Sequence, residues 1–361
     1  MTMSTLPMEL TDTKESDQSC YQPIIFTANS KEYFRIWIVN IALTVLTLGI
    51  YSAWAKVRRN RYFYTHTFLD KQNFDYHAQP EAILYGRVIA VSVLALSLLA
   101  GYLQPGIDIL LFFVIFLISP WLIVRAKRFA LYNTSYRGVR FGFEANYKSA
   151  FKTFYGAALV SVFSLGLATF HALFLKTRFI TNHSKFGRNR FKYQGRSEDF
   201  LKIYFGAIGL ALLGFLTLSV ILGATIIPHP NTPDTTQYPV YIDLLIFAVM
   251  GAVYLFCFCF QRSRTLNHIY RTTSLKGIRF KCELSARILF WLYLSNVIAI
   301  IFSLGLLTPW ASIRLARYRA QSLQVDITPD WETHLAAAQS QITASGEEFA
   351  SAFDVDLGAG F

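Results

Sequence analysis

Arg58 and Arg61 stand three residues apart, as do Arg314 and Arg317, a spacing that puts both guanidinium groups of a pair on one helix face. Such a pair beside Trp54 or Trp310 can cradle a phosphate, because the planar fork of donors matches phosphate oxygens. The plainer role for the same residues is anchoring, since Trp and Arg gather where a membrane segment meets water. Arg178 holds the position of Arg61 and Arg317 in a third, weaker copy of the pattern. Asn40 and Asn296 each lie nine residues before a glycine of that pattern. They can bind a polar headgroup or ion between units, or hydrogen-bond neighbouring helices, and the second role is favoured.

Other chemistry is sparse. His66 and His183 occupy matching positions but have no second ligand at metal spacing. Cys20, Cys257, Cys259 and Cys282 show no CxxC spacing, and Cys257 and Cys259 sit in an apolar run where Cys acts as a small hydrophobe. No GxSxG, HExxH or P-loop occurs. The expectation is no enzyme, no metal and no cofactor.

The elements that carry these residues form a pattern stated three times. Each copy is an apolar run, a glycine (Gly49, Gly166, Gly305), then Trp54, His171 or Trp310 at the fifth residue on, then Ala, then an Arg-bearing turn. The middle copy also departs in having Leu175 where the others have Arg58 and Arg314. Two spacings relate the copies. One carries Gly49, His66 and Phe74 to Gly166, His183 and Phe191; the other carries Ser135, Arg140 and Gly166 to Ser274, Arg279 and Gly305. The chain therefore reads as a polar, disordered start at 1–25, a first repeat unit at 26–140, a second at 141–279, a third signature segment at 280–320 and an acidic tail at 321–361. Duplication of this kind is common in membrane proteins.

Composition names the solvent. The 361 residues are 53% hydrophobic and 16% charged, against about 25% charged in soluble domains. A net charge of +12 fits anionic lipid rather than nucleic acid, because the cations lie between apolar runs. Residues 1–22 lack the apolar core of a signal peptide. The apolar segments at 36–55, 88–102, 107–124, 153–175, 203–227, 244–261 and 288–313 predict an all-α polytopic integral membrane protein with up to seven membrane segments. Stretches around Phe74, Phe141, Phe191 and Phe280 predict small β-like pairs in the loops.

The turns at 101–108 and 228–243 contain no Lys or Arg, so they face out, and the basic loops and both termini face the cytoplasm. Each signature segment has cations at both ends. Two arrangements answer this: seven spans against the charge rule, or four spans with three re-entrant or broken segments, the break falling at the glycine and the Thr308-Pro309 step.

Glu32-Tyr-Phe-Arg-Ile-Trp37, Thr47-Leu-Gly-Ile-Tyr-Ser-Ala-Trp-Ala-Lys-Val-Arg-Arg59, Arg61-Tyr-Phe63 and Phe353-Asp-Val-Asp-Leu-Gly358 together resemble the YjgN-like family of bacterial inner-membrane proteins. The resemblance implies an inner-membrane helical protein and no established activity. No apolar segment carries an interior charge, which disfavours proton-coupled transport through a buried carboxylate. The leading expectation is a transporter- or channel-like protein with anionic or lipid cargo. The alternative is a non-transporting lipid-binding or scaffold protein, with anionic phospholipids as partners.

Overall fold

The computed structural model describes residues 21–104, 106–226, 240–276 and 278–327. The polar start before Tyr21, the proline-rich part of the second outer turn and the acidic tail from residue 328 lie outside them, as do Pro105 and Gly277.

Each signature segment folds as two helices joined by a tight turn. The pairs are α1 (Ser30–Leu46) with α2 (Ser52–Thr65), α5 (Tyr147–Phe163) with α6 (Thr169–His183), and α9 (Ala286–Phe302) with α10 (Thr308–Gln321). These helices run 14 to 17 residues. The 36–55 segment, apolar enough for one continuous span, is thus divided in the middle. The cause is a Ser/Thr-Leu-Gly sequence at each turn. Leu48, Leu165 and Leu304 take φ of 51°, 50° and 50°, and the following glycines take 93°, 86° and 90°. The glycine amide then bonds back to Thr44, Ser161 or Ile300, and the leucine amide to Val45, Val162 or Ile301, which is a Schellman closure. The hydroxyl before the leucine reaches forward: Thr47 Oγ1 accepts from Tyr51 N at 2.9 Å, Ser164 Oγ from Ala168 N at 2.9 Å and Ser303 Oγ from Leu307 N at 3.0 Å. A second hydroxyl three residues after the glycine (Ser52, Thr169, Thr308) donates to the glycine carbonyl.

Four longer helices complete the helical set among the described residues: α3 (Pro80–Leu103), α4 (Ile107–Tyr132), α7 (Ser197–Ile226) and α8 (Val240–Arg271). They contain apolar stretches long enough to cross a bilayer. Round the molecule each helix packs on the next, and α1 packs on α10 to close the circuit.

Among the described residues twelve short strands link or flank the helices: β1 (Tyr21–Pro23), β2 (Ile25–Phe26), β3 (Thr67–Leu69), β4 (Gln72–Tyr76), β5 (Thr134–Tyr136), β6 (Val139–Phe143), β7 (Ser184–Phe186), β8 (Asn189–Arg190), β9 (Lys192–Tyr193), β10 (Thr273–Leu275), β11 (Ile278–Cys282) and β12 (Leu323–Asp326). The expected β-like pairs are present, but they join into a larger structure than isolated loop hairpins. All pairings are antiparallel, in the orders β2 to β8 and β1-β12-β11-β10-β9. Single residues separate β1 from β2 and β8 from β9, and they carry the pairing across: Ile24 N bonds Leu323 O and Phe191 N bonds Ser184 O, both at 3.0 Å. The strands therefore form one closed ring, which leaves no free edge. Asp70 and Lys71 (φ 46° and 60°) and Arg137 and Gly138 (49° and 78°) make the paired positive-φ turns that two-residue hairpins require. Leu69, Tyr136, Val139, Phe186, Leu275, Ile278 and Val325, drawn from strands all round the ring, fill its interior.

Candidate functional site

The three short hairpins share a backbone and differ in how their helices are held together. In the third, Arg314 of α10 donates to Ser295 Oγ of α9 at 2.6 Å and approaches Asn296 Oδ1 at 3.4 Å, while Asn296 Nδ2 reaches Ala311 O at 3.3 Å. Asn296 is thus a helix-to-helix tie, the role its apolar setting favours. The Arg314 guanidinium also lies 5.2 Å from the Trp310 ring centre. In the middle hairpin the same places hold Ala157, fully buried, and Leu175, so plain apolar packing closes it.

The first hairpin has neither closure. Val39 stands where the third has Ser295, so Arg58 lacks a hydroxyl acceptor and its side chain is exposed. Asn40 is 7% exposed, and its Oδ1 has no hydrogen-bond partner among the described residues. Between α1, α2 and α3 lies a groove of about 730 Å³. Tyr33, Trp37, Asn40, Ile41, Thr44 and Val45 line its α1 wall. Ser52, Ala55, Lys56, Arg59 and Asn60 line the α2 wall, with Arg87 reaching in from α3. Arg87 donates to Ser52 Oγ at the base of the turn.

The rotation of α2 decides which cations face this groove. Ala53 and Val57 are buried against Ala78, in the link before α3, and Ile83 in its first turn. That contact turns Lys56 and Arg59 toward α1, and Arg58 and Arg61, each one position away in phase, off the groove wall. Arg178 is exposed on α6, and Arg317 donates to Ala28 O at 3.0 Å, tying α10 to the approach of α1. The structure therefore does not gather Arg58, Arg61, Arg178, Arg314 and Arg317 into one place. Lys56, Arg59 and Arg87 are the residues that the spacing argument missed. Their signal is the position of Lys56 and Arg59 on the helix face that carries Ser52, a stripe read only once the buried side of α2 is known.

The remaining signature residues make contacts within and between the hairpins. Gly49, Gly166 and Gly305 make the turns. Trp54 packs on the Ala53–Val57 cluster, His171 Nδ1 lies 2.9 Å from Ser197 Oγ, and Pro309 is fully buried in the first turn of α10. The aromatic residue after the last arginine also has a defined task. Tyr62 Oη bridges N and O of Asn29, and Tyr318 Oη bridges N and O of Ser285, each holding the residue that caps the partner helix.

Two further contacts tie the first and second turns to long helices. Arg87 on α3 reaches the first turn, and Tyr204 on α7 donates to Gly166 O at 2.9 Å in the second. Both residues lie seven positions into a long helix. The turns thus stand where the long helices become continuously apolar.

Four long apolar helices and a strand ring studded with cations define a multi-pass integral membrane protein. The chain belongs to the family described as "Bacterial protein of unknown function (DUF898)", whose pattern matches residues 21–352. "Inner membrane protein YjgN" of Salmonella typhimurium (strain LT2) is 25% identical over 364 residues, covering 84% of this chain and 88% of the relative. Proteins with the same description from Escherichia coli O157:H7 and strain K12 are 26% identical over 162 residues, covering 44% of this chain and 39% of each relative. No solved structure matches the chain. The protein resides in the bacterial inner membrane.

Proposed function

We propose that this protein is a non-transporting lipid-binding scaffold that engages the cytoplasmic leaflet. The four long helices cross the bilayer, the strand ring and its cations lie in the cytoplasm, and the three short hairpins re-enter that leaflet from the same side. The observation that carries this reading is the chemistry of the turns. Leu48, Leu165 and Leu304 are 95%, 93% and 94% exposed, so each hairpin ends in an unpaired apolar tip. Ser and Thr hydroxyls satisfy the turn backbone internally, which is what non-helical chain needs at membrane depth. The contacts to α3 and α7 hold the first two tips at the level where the spans begin.

Transport of an anionic or lipid cargo needs a pathway between the units. The packed interior of the strand ring speaks against a path along the axis of the molecule. Lipid binding without transport is therefore the preferred function.

Single cysteines at Leu48, Leu165 and Leu304, carrying a fluorophore in reconstituted protein free of its native cysteines, test this. Quenching by lipids brominated near the headgroup end of the chain is the expected result; quenching only by an aqueous agent would overturn the reading. Cysteines at Arg188 and Lys276, both exposed positions on the strand ring, should react from one side of the membrane. Reaction from opposite sides would remove the re-entrant topology.

A further inference from the structure

We propose that the groove of the first hairpin is a binding site for the phosphate headgroup of an anionic phospholipid, held by Lys56, Arg59 and Arg87. The inference rests on the leaflet-insertion reading, because the groove opens beside the Leu48 tip.

Charge is the first argument. Lys56, Arg59 and Arg87 all line the groove, and no carboxylate is among its lining residues. Four cations of the strand ring do have carboxylate partners among the described residues: Arg137 with Asp70 at 2.5 Å, Lys185 and Arg190 with Glu144, and Lys281 with Glu283 at 2.8 Å. Within the groove Arg87 is bonded to the Ser52 hydroxyl, and Arg59 lies 5.8 Å from the Phe63 ring centre. Neither contact neutralises charge, and a phosphate diester supplies the missing anion with oxygens suited to guanidinium and ammonium donors.

Polarity along the walls is the second. Lys56, Arg59 and Asn60 line the α2 wall, with Ser52 and Arg87 at the turn, whereas Trp37, Ile41 and Val45 supply apolar surface on the α1 wall. A ligand matching both walls is an amphiphile. The volume of about 730 Å³ falls within the ordinary range for sites of bound small molecules.

Asn40 is the third. Its counterpart Asn296 receives Arg314, while Asn40 Oδ1 is buried without a partner among the described residues. A buried carbonyl oxygen left unpaired is costly, and a hydroxyl on the headgroup supplies a donor. Phosphatidylglycerol carries such a hydroxyl next to its phosphate.

The test uses the purified full chain in neutral detergent, with binding followed by titration calorimetry. Short-chain phosphatidylglycerol is titrated against short-chain phosphatidylcholine and against glycerol 3-phosphate. Phosphatidylglycerol should bind, and Lys56→Gln with Arg59→Gln should weaken it about tenfold or more, a loss equal to one strong contact. Arg58→Gln with Arg61→Gln should leave affinity unchanged, and Arg59→Lys should retain most of it. If the double Gln variant unfolds, Lys56→Gln alone, on an exposed side chain, takes its place. Equal binding of phosphatidylcholine, or affinity indifferent to Lys56 and Arg59, would overturn the site. Glycerol 3-phosphate binding as tightly as the lipid would overturn the lipid assignment. Depth at Leu48 separates the two readings: a buried tip with a silent groove rejects only this inference, while a tip in water rejects both.

Discussion

Arg314 Nη1 lies 2.6 Å from Ser295 Oγ, and this contact across α9 and α10 separates the third hairpin from the first. Hydrogen bonds to a charged donor contribute roughly 1.5–3 kcal/mol when shielded, and partial exposure of Arg314 places this one at the lower end. Ser295→Ala should therefore destabilise the protein by about 1.5 kcal/mol in thermal or detergent-unfolding measurements. Ser295→Thr, which keeps the hydroxyl, should cost much less.

The reverse exchange belongs in the first hairpin. Val39→Ser gives Arg58 the acceptor that Arg314 already has, next to an Asn40 with an open oxygen. The expected outcome is a higher melting temperature together with weaker phosphatidylglycerol binding, because Arg58 then occupies the acceptor in the groove wall. Melting and titration on the same sample check both halves.

At the turns, backbone conformation is limiting and space is not. Gly305 has φ +90° and a Cβ there would meet nothing within 4 Å. Gly305→Ala should cost about 1–2 kcal/mol from the left-handed backbone alone. Gly305→Asn should cost less, since Asn tolerates that region. Equal melting temperatures for wild type and the Ala variant would show that the turn is not held as described.

The strand ring should depend on its interior more than on any one hydrogen bond. Tyr136 is almost fully buried and its Oη donates to Leu69 O at 2.8 Å. Tyr136→Phe removes that bond at about 1 kcal/mol. Tyr136→Ala also empties the ring, and should cost about 3–5 kcal/mol. A large gap between the two, measured by denaturant unfolding, is the expected signature.

Glu144 links β6 to β7 and β8 through Lys185 and Arg190, and hydrogen bonds from these two cations hold its carboxyl below the usual carboxylate range. A carboxylate with a depressed folded-state pKa contributes stability above its unfolded value, lost as pH falls through the folded value. The loss therefore falls on the acid side of the usual carboxylate range. Wild type should lose more stability there than Glu144→Gln, and the two curves should run parallel near neutral pH. The effect is small, because all three side chains are substantially exposed.

Much of the membrane organisation was legible in the residues because it rests on local signals. Apolar length marks the segments that contain α3, α4, α7 and α8, but it marks the three signature segments equally. The glycine break was legible too, since Ser/Thr-Leu-Gly closes its turn with bonds to residues a few positions away. The hairpin turns of the ring had a signal that went unread: Arg137-Gly138, flanked by alternating residues, is a two-residue hairpin sequence.

By itself the sequence determined the solvent, the seven apolar segments, the thrice-stated glycine pattern and the family, all carried by composition or short-range pattern; which segments are long continuous helices it left open. The tertiary structure alone decided that Tyr21 pairs with Asp326, closing the strands into a ring from opposite ends of the chain. It also decided that Lys56, Arg59 and Arg87, and not Arg58 and Arg61, share a groove. Neighbouring positions on a helix differ by about 100° in direction. Which of them faces inward depends on how α2 is rotated, and the burial of Ala53 and Val57 against α3 fixes that rotation.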